Sequence, residues 1–463
     1  MSAVADPLHA MTPRRLPTLD RRRCGVLLHL GSLPAPLGHG GRAFIDWLAE
    51  AGFSVWQFLP LGPTGADRSP YFARSDFAGN AEFLDRAAPP EALAEEHRAF
   101  EQATWDWLDD YAMFEVLSGR LGGACWWSWP EELRERSAAA LDRIRQAHAA
   151  EIERIRLEQF AFFVQWRRLR EYAAARGVRL FGDLPFYVGP MSAETWMYRG
   201  QFQLDALGRP TAIAGVPPDY FSETGQVWGN PLYDWPVMQR ERFAYWRARL
   251  EAQLARVDLL RIDHFRAFAA HWAVPAGAPD ARSGRWCPTP GRELLQILRE
   301  ETGELPIVAE DLGFITEDVL ALRRDFGLAG MRVLQFAFDG SPDNPHLPQR
   351  IETDCVVYTG THDNDTTLGW YRSLPEPARR YVDQVIGPGS VAMPEALARQ
   401  ALDSAGQLAI IPAQDLLGLG SEARLNTPGT QLPQNWRWQL PADALTPQLA
   451  RHWGQLNRLC GRA

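Results

Sequence analysis

Residues 257–265 read VDLLRIDHF, a short apolar run that ends on an acidic residue, Asp263. Seven similar runs recur along the chain, rich in leucine and β-branched residues, and several end in a polar residue followed by glycine or proline. They are CGVLLHL from Cys24, SVWQFLPL from Ser54, VRLFGDLPFYV from Val178, LPIVAEDLG from Leu305, GMRVLQFAF from Gly330, CVVYTGTHDN from Cys355 and LAIIPAQDLLG from Leu408. Strands that are apolar at nearly every residue are typical of a parallel sheet covered on both faces by crossover helices.

Helical patterns lie between several of these runs. GRAFIDWLAEAG from Gly41, GRELLQILREETG from Gly291 and TEDVLALRRDFG from Thr316 each carry apolar residues at helical spacing. The third of them has a threonine at the expected N-cap and closes on glycine. Eight strands that alternate with helices predict an α/β protein of the (β/α)₈ TIM-barrel class.

Two stretches are too long to be simple crossovers, and we expect them to be insertions on the barrel. Residues 63–178 predict a largely helical insertion between the second and third strands, because opposite charges recur there at helical spacing. Residues 189–256 predict a substrate-loop insertion between the third and fourth strands, since they include the aromatic loop GVPPDYFSETGQVWGNPLYDW. Residues 1–20 are expected to be an N-terminal tail, and residues 21–463 a single catalytic barrel.

Composition excludes several functional classes. The net charge is −9, so the chain is not expected to have the basic face that binding to nucleic-acid phosphates requires. We therefore expect no nucleic-acid partner. The chain contains no lysine, and all 48 basic residues counted as Lys+Arg are arginine. Schiff-base aldolases, pyridoxal enzymes and Walker-type NTPases each depend on a lysine amine and are therefore excluded. A G-x-G-x-x-A match at Gly38 comes well after the strand ends, so we do not interpret it as a dinucleotide site.

The cysteines and the apolar runs bear on localisation. Five scattered cysteines without a C-x-x-C pair indicate neither a disulfide framework nor a zinc site. The N-terminus lacks the apolar core of about 7–15 residues that a signal peptide needs, and no apolar run approaches the roughly 20 residues of a membrane span. We therefore expect a cytoplasmic protein with no membrane partner. The sequence does not indicate its oligomeric state.

Acidic residues close several of the predicted strands. Asp263, Glu310 and Asp363 follow three of the runs, and Asp183 lies near the end of a fourth. Each of them alone is more often an N-cap or an ion-pair partner than a catalyst. Because the active sites of parallel barrels form where the strands end, we expect these four side chains to meet at one end of the barrel.

Two of these carboxyl groups suit the cleavage of a glycosidic bond, which needs one protonated acid and one ionised carboxylate. Arg261 is two residues before Asp263, so on a strand both side chains lie on one face and the cation would keep Asp263 ionised. Glu310 follows the apolar stretch LPIVA, a setting expected to raise its pKa. Asp263 is therefore the candidate nucleophile and Glu310 the candidate acid.

Aromatic residues beside polar residues in loops are consistent with a sugar substrate. The chain has 18 tryptophans, and SPYFARSDF, DYFSETGQVWGN and NTPGTQLPQNWRW place rings beside hydrogen-bonding residues. A single tryptophan more often packs in a core, and we interpret Trp126, Trp127 and Trp129 in that way. His264 and His362 flank two of the aspartates but lack metal-site spacing, so we expect no metal there.

Many separate motifs resemble those of the amylomaltases, the bacterial counterparts of plant disproportionating enzymes, and they occur in the family's order between about Cys24 and Leu440. The motifs are SLPAPLGHG, WQFLPLGPTG, SPY, FAGN, LPFYV, GVPPDYFSETGQVWGNPLYDW, RIDHFR, IVAEDLG, MRVLQFAFDG, YTGTHDNDTTLGW and PAQDLLGLGSEARLNTPGT. The resemblance implies a (β/α)₈ barrel with helical and loop insertions and without a C-terminal β-sandwich domain. It also implies 4-α-glucanotransferase activity on α-1,4-glucans, the maltodextrins, as donor and acceptor. The sequence does not indicate the physiological pathway, for which maltodextrin and glycogen metabolism are natural hypotheses.

The resemblance also assigns roles to residues, carried over by motif. Asp263 of RIDHFR would be the nucleophile, Glu310 of AEDLG the general acid/base, and Asp363 of THDND the transition-state stabiliser. The family's sugar-binding positions correspond to Ser69, Tyr71, Asp183, Arg261, His264 and His362. The loop that would cover the glucan carries Asp219, Tyr220, Phe221, Gln226 and Trp228. Two carboxyl groups and a third that stabilises charge account for retaining transfer without a cofactor or a metal.

Two other functions remain open from the residues alone. A retaining α-glucan hydrolase of the α-amylase type would use the same carboxyl groups, and only the aromatic lid loop argues for transfer. That lid would exclude water and let a sugar hydroxyl reach the covalent intermediate first. A non-catalytic glucan-binding protein would need the aromatic loops but not the three carboxyl groups.

Overall fold

The computed structural model describes residues 17–87, 94–104, 106–218, 222–387 and 391–463. All eight apolar runs form strands, and four further strands belong to a second sheet. The strands of the described chain are β1 (Arg23–Leu27), β2 (Val55–Gln57), β3 (Arg179–Leu184), β4 (Ala212–Val216), β5 (Gln226–Pro231), β6 (Leu259–Ile262), β7 (Ala270–Pro275), β8 (Arg285–Pro288), β9 (Ile307–Ala309), β10 (Gly330–Val333), β11 (Cys355–Tyr358) and β12 (Leu408–Pro412).

The eight strands form one parallel sheet in the order β10-β11-β12-β1-β2-β3-β6-β9. The two ends of this order meet, because Val308 of β9 forms a parallel bridge with Ala329 just before β10. The Ala309 N–H donates to the Ala329 carbonyl at 2.8 Å. The sheet is thus a closed (β/α)₈ barrel, and the predicted fold class is confirmed.

Alternate residues of the strands face the two sides of the barrel wall. One apolar cluster takes members from all eight strands, including Leu259 and Val308, and therefore fills the barrel interior. Leu260 and Ile307, one residue away, belong to the layer between the barrel and its helices. This period of two places Arg261 and Asp263 on the same side as Leu259, toward the interior and its mouth.

Helices cover the outside of the barrel. The α-helices of the described chain are His39–Glu50, Ala94–Ala103, Leu108–Arg120, Glu131–Arg134, Ala138–Ala147, Ala149–Ala175, Ala193–Met197, Trp235–Arg240, Ala244–Leu254, Gly291–Thr302, Glu317–Asp325, Thr367–Ser373, Glu376–Ile386, Glu395–Asp403, Ala413–Leu416 and Pro447–Leu459. The three helical patterns named from the sequence all correspond to helices. Thr316 occupies the N-cap position of Glu317–Asp325, but its hydroxyl bonds to the Asp318 carboxylate and makes no cap bond to the backbone.

Between β2 and β3 the described chain is mostly helical. The longest helix there, Ala149–Ala175, packs Trp166 edge-on against Phe58, which follows β2, with ring centroids 5.3 Å apart. The Trp166 indole N–H also donates to the Arg256 carbonyl at 3.1 Å. These contacts join the helical region to the barrel wall, while the division of the chain into the units expected above stays a prediction.

A second sheet, which the sequence did not predict, lies beside the barrel mouth. Its four antiparallel strands have the order β5-β4-β7-β8. Two of them, β4 and β5, lie inside the expected loop insertion, whereas β7 and β8 follow the Asp263 motif. The pairings of β4 with β5 and of β7 with β8 join neighbouring segments, whereas the central pairing of β4 with β7 joins segments that are far apart in the chain, such as Ala212 and Pro275. Local patterns do not indicate that central pairing.

In the part of the chain that the structure describes, none of the helices combines the length and the apolar character required to span a lipid bilayer.

Candidate active site

The acidic strand ends meet at the carboxyl end of the barrel. Asp183 lies near the end of β3, Asp263 directly follows β6, and Glu310 directly follows β9. Asp363 lies in the loop after β11. Because all barrel strands are parallel, these four residues come from one face, as expected from the sequence.

Arg261 joins two of these carboxylates. One guanidinium nitrogen donates to both oxygens of Asp183 at 2.8 Å, and another donates to Oδ1 of Asp263 at 2.8 Å. Arg261 is buried, which by itself would lower its pKa, but Asp183 and Asp263 together raise that pKa well above its ordinary value. The cation is therefore permanent, and it places a positive charge directly beside the Asp263 carboxylate.

Asp263 is held by its main chain and open at its side chain. Its N–H donates to the carbonyl of Leu184 at 2.9 Å, which extends the pairing of β6 with β3. About a third of the side chain is exposed, at 32%, whereas the Asp183 side chain is fully buried. Of the two carboxylates on Arg261, Asp263 is thus the one that a substrate could reach.

Glu310 lies next to the loop that begins at Asp263. Its Oε2 accepts the His264 N–H at 2.8 Å, and the Leu312 N–H points at Oε1 from 3.3 Å. Burial raises the pKa of Glu310 to about 8, with the Asp263 charge adding to the rise and the Arg261 cation opposing it. At neutral pH this carboxyl group therefore keeps its proton, as a general acid requires.

Asp363 has partners from two loops. Its Oδ1 accepts from the Asn426 side chain at 2.7 Å, and its Oδ2 lies 3.4 Å from Nε2 of His362. Arg424 donates to the Asp363 main-chain carbonyl at 2.7 Å. The carboxylate is 45% exposed, so it remains accessible at the barrel mouth although its orientation is held from behind.

An aromatic group lines the site beside Asp363. The rings of Tyr71 and His362 stack with centroids 5.1 Å apart and planes at 14°. The ring centroid of Trp436 lies 5.9 Å from that of Tyr71 and 6.0 Å from that of His362. The Tyr71 hydroxyl donates to Asp183 at 2.6 Å, and burial together with the Asp183 charge raises the Tyr71 pKa well above its ordinary value. These rings offer an apolar wall of the kind that pyranose faces contact.

A second aromatic contact lies on the His264 side. Trp228 of β5 meets the His264 ring edge-on at 4.7 Å and donates its indole N–H to Gln226 at 3.1 Å. Burial lowers the pKa of His264 to about 4, so this ring is neutral, and its buried Nε2 has no hydrogen-bond partner within the described structure. His264 also adopts left-handed backbone angles, with φ 53°. Buried polar atoms in proteins normally have a hydrogen-bond partner, and the described residues supply none to this ring nitrogen.

The remaining sequence-predicted residues differ in their placement. Ser69 is buried and directly precedes the turn of helix Pro70–Phe72 that carries Tyr71. Gln226 contacts Trp228, and within the described chain it makes no hydrogen bond to the carboxylates. Asp219, Tyr220 and Phe221 lie outside the described residues.

Besides Arg424, which bonds to the Asp363 carbonyl, three residues of this site were not proposed from the sequence. Asn426 bonds Asp363 from 63 positions away, and Trp436 completes the ring group. His29 follows β1 and helps to line a cavity that also reaches His362. Burial lowers the pKa of His29 to about 3, so it is neutral. Asn426 and Trp436 lie in the motifs SEARLNTPGT and NWRW, so the polar and aromatic composition of that loop was the available signal.

Within the described residues, no group of three or more histidine, cysteine, aspartate or glutamate side chains has the arrangement of a metal site.

Comparison with known proteins gives matches over nearly the whole chain. The model of a family described as 4-alpha-glucanotransferase matches residues 28–98 and 84–445. The 4-alpha-glucanotransferase of Thermus thermophilus is 44% identical, with 92% of this chain and 96% of that protein aligned. That of Synechocystis sp. is 41% identical, with 96% of this chain and 99% of that protein aligned.

The fold is similar to that of a solved relative. The amylomaltase from Streptococcus agalactiae, solved in complex with acarbose, superposes with a TM-score of 0.88 at 31% sequence identity. The superposition covers 96% of this chain and 100% of that chain. The amylomaltase from Corynebacterium glutamicum, at 17% identity and a TM-score of 0.76, shares the fold over 97% of this chain and 77% of its own.

Proposed function

The chain belongs to the family of 4-alpha-glucanotransferases, and from this premise we propose that Asp263, Glu310 and Asp363 carry out glucan transfer by a retaining double displacement. The enzyme is a transferase of carbohydrate metabolism. The substrates are α-1,4-glucans, the maltodextrins, as donor and acceptor. The observation that carries the proposal is the pairing of an arginine-bound carboxylate, Asp263, with a neighbouring carboxyl group, Glu310, whose raised pKa keeps it protonated.

The first step forms a covalent intermediate. The Asp263 carboxylate attacks the anomeric carbon of the donor, and the bond from that carbon to the glycosidic oxygen breaks. Glu310 gives its proton to the departing oxygen. Positive charge develops on the sugar in the transition state, and the exposed Asp363 carboxylate stabilises it. The products are a glucosyl ester on Asp263 and the released end of the donor.

The second step uses the change in charge that the first step produces. Esterification removes the negative charge of Asp263, which had helped to raise the pKa of Glu310, while the Arg261 cation remains and lowers it. The Glu310 carboxylate then accepts the proton of an acceptor sugar hydroxyl, and that oxygen attacks the anomeric carbon. The ester bond to Asp263 breaks, and both groups return to their starting states.

Sugar binding is assigned to the residues around the carboxylates. Tyr71 and His362 would hold one ring, with the buried Asp183 contributing through the Tyr71 hydroxyl that donates to it, and Trp228 with the unpaired Nε2 of His264 would hold the neighbouring ring. Ser69 and Gln226 lie next to Tyr71 and Trp228 respectively, so each would bind through the same part of the groove. From the sequence, Asp219, Tyr220 and Phe221 would belong to a lid that favours sugar over water as the acceptor.

The reaction needs no cofactor, because the three carboxyl groups supply all the proton transfers and the nucleophile. We also propose a cytoplasmic location, on the basis of the scattered, unpaired cysteines. The proposed α-1,4-glucan substrates suggest maltodextrin and glycogen metabolism as the setting of the reaction.

The test is to incubate the purified protein with maltotriose, without added metal or coenzyme, and to follow both the product lengths and the number of reducing ends. Transfer predicts glucose and a ladder of longer maltodextrins at a nearly constant number of reducing ends. A steady rise in reducing ends without longer products would establish hydrolysis instead. Tight binding of maltodextrin with no product of either kind would overturn the assignment of an enzyme.

A further inference from the structure

The junction between β9 and β10, which we call the seam, has the least main-chain pairing of the barrel and lies next to Glu310. Among the described residues, β9 and β10 are joined by one main-chain bridge, Val308 with Ala329, whereas every other neighbouring pair of barrel strands shares a longer register. The Ala309 N–H makes the adjoining ladder bond to Ala329. Glu310 is the residue at which this ladder stops.

Beyond the end of the β9–β10 ladder, the Asp311 side chain accepts the hydrogen bond that a main-chain carbonyl would otherwise accept. A continuing parallel ladder would pair the Met331 N–H with a main-chain carbonyl of β9. That N–H instead donates to Oδ1 of Asp311 at 2.7 Å. The Asp311 side chain is 1% exposed, so the bond is shielded from water. The carboxylate thus clasps β9 to β10 in place of a backbone carbonyl.

The second carboxylate oxygen of Asp311 lies near two arginine side chains and occupies space that a glycine leaves open. Oδ2 of Asp311 lies 3.6 Å from Nε of Arg323 and 3.5 Å from Nη1 of Arg332. Gly330 leaves the room for it, since a Cβ at that position would lie 2.6 Å from this oxygen. An alanine there would therefore push the carboxylate out of place.

Hydrogen bonds connect Glu310 and the residue after it to the neighbouring strand on each side. Its N–H donates to the Ile262 carbonyl at 3.1 Å, and its carbonyl accepts the Phe265 N–H at 3.2 Å, which ties it to the segment around Asp263. Asp311 ties the next residue to β10. From this arrangement, and resting on the proposed role of Glu310, we propose that Asp311 is a positioning residue that holds the general acid/base against the nucleophile by clasping the barrel seam.

Asp311 also adds a charge near Glu310. The groups that face Glu310 are Arg261 and Asp263 from β6 and its end, the His264 main chain, and Asp311 from its own loop. Burial is the main cause that raises the Glu310 pKa, and the charges of Asp263 and Asp311 add to it. Removing the Asp311 charge should therefore lower that pKa, a change that a merely structural role would not produce.

The experiment compares Asp311→Ala with Asp311→Asn in the full-length enzyme, using maltotriose as donor. Asp311→Ala removes the clasp, so kcat should fall roughly 10²-fold with KM little changed, as for a small misplacement of a reacting group. Asp311→Asn keeps an oxygen for the Met331 N–H and should recover much of kcat. Its activity should be lost at lower pH than that of the wild type as the pH is raised.

Gly330→Ala tests the same clasp without changing Asp311, and it decides the matter should Asp311→Ala fail to fold. It should lower kcat more than KM, like Asp311→Ala. Wild-type kcat and an unshifted pH profile in folded Asp311→Asn and Gly330→Ala would overturn the proposal. Glu310→Gln is assayed alongside: if it transfers glucan normally, the proposed function itself is wrong, whereas an inactive Glu310→Gln beside unaffected Asp311 and Gly330 variants refutes the clasp alone.

Discussion

Arg261 illustrates how a single residue shapes the chemistry of the site. It is buried between Asp183 and Asp263, and its three bonds of 2.8 Å connect a carboxylate hidden from solvent to one that is open to it. The hidden Asp183 gives the cation a fixed partner, so the arginine cannot swing out to solvent. Asp263 consequently meets a positive charge of defined direction before any substrate arrives.

Replacing Arg261 should disable the enzyme and weaken its fold. Arg261→Met leaves Asp183 and Asp263 without their shared cation, and breaking a buried ion pair costs about 3–5 kcal/mol. We expect transfer activity to vanish and the unfolding temperature to fall, measured by product chromatography and calorimetry. The matched control is Arg282→Met, since Arg282 is 66% exposed and pairs with Asp280 at the surface. Equal effects of the two substitutions would contradict this account.

The Glu310 pKa makes a prediction about pH. The pKa is raised to about 8, so the acid is protonated below that pH and loses its proton as the pH rises through it. kcat/KM for a maltodextrin donor should therefore hold up to neutral pH and decline above about 8. Initial rates across a pH series in buffers of constant ionic strength measure it. A decline that begins near the ordinary carboxyl pKa of about 4.3 would refute the proton-donor role.

At the scale of elements, the loop that follows β12 supplies what the strands do not. Arg424 and Asn426 lie in this loop, and both bond to Asp363 in the loop after β11. The same loop brings Trp436 against Tyr71 and His362. Trp436 adopts left-handed backbone angles, with φ 64°, a strained state that the surrounding contacts must maintain. One loop thus orients the third carboxylate and completes the aromatic wall.

Removing the Asn426 amide should impair catalysis more than folding. Asn426→Ala takes away the 2.7 Å bond to Oδ1 of Asp363, and losing a bond to a charged group costs about 1.5–3 kcal/mol. We expect kcat to fall by roughly 10- to 100-fold. Steady-state kinetics with maltotriose measure it, and Gln434→Ala, an exposed position in the same loop, serves as the control. An unchanged kcat would show that Asp363 does not depend on this bond.

At the scale of the whole molecule, one end of the barrel carries the candidate site and the other end carries hydrogen bonds that stabilise the fold. The carboxyl end of the strands carries the candidate site. At the opposite end, the fully buried Arg462 donates to the carbonyls of Arg23, Leu402, Ser404 and Gly406. These bonds link the first strand, the segment before the last strand and the residues after the helix Pro447–Leu459. These hydrogen bonds stabilise the barrel at the end opposite the candidate site.

Arg462 should therefore matter for stability and little for the reaction. Arg462→Met leaves several buried carbonyls without a donor, each at a cost of about 1–3 kcal/mol. We expect a clear drop in the unfolding temperature and nearly wild-type kcat and KM at temperatures where the variant is folded. Thermal unfolding and kinetics are measured on the same preparation, with the exposed Arg458→Met as control. A selective loss of kcat at unchanged stability would contradict this division between the two ends of the barrel.

Sequence patterns by themselves determined the barrel and its carboxylate set. Apolar runs are local, and the period of two along a strand puts Arg261 and Asp263 on one face wherever the strand lies. Parallel strands then bring their ends together, which is why the sequence alone groups Asp183, Glu310 and Asp363 with Asp263. Only the tertiary structure decided the partners of those groups: Asn426 on Asp363, Trp436 on Tyr71, Asp311 across the seam and the second sheet beside the mouth. The reason is physical, because hydrogen bonding and burial depend on which distant segments meet in space, and no local pattern records that.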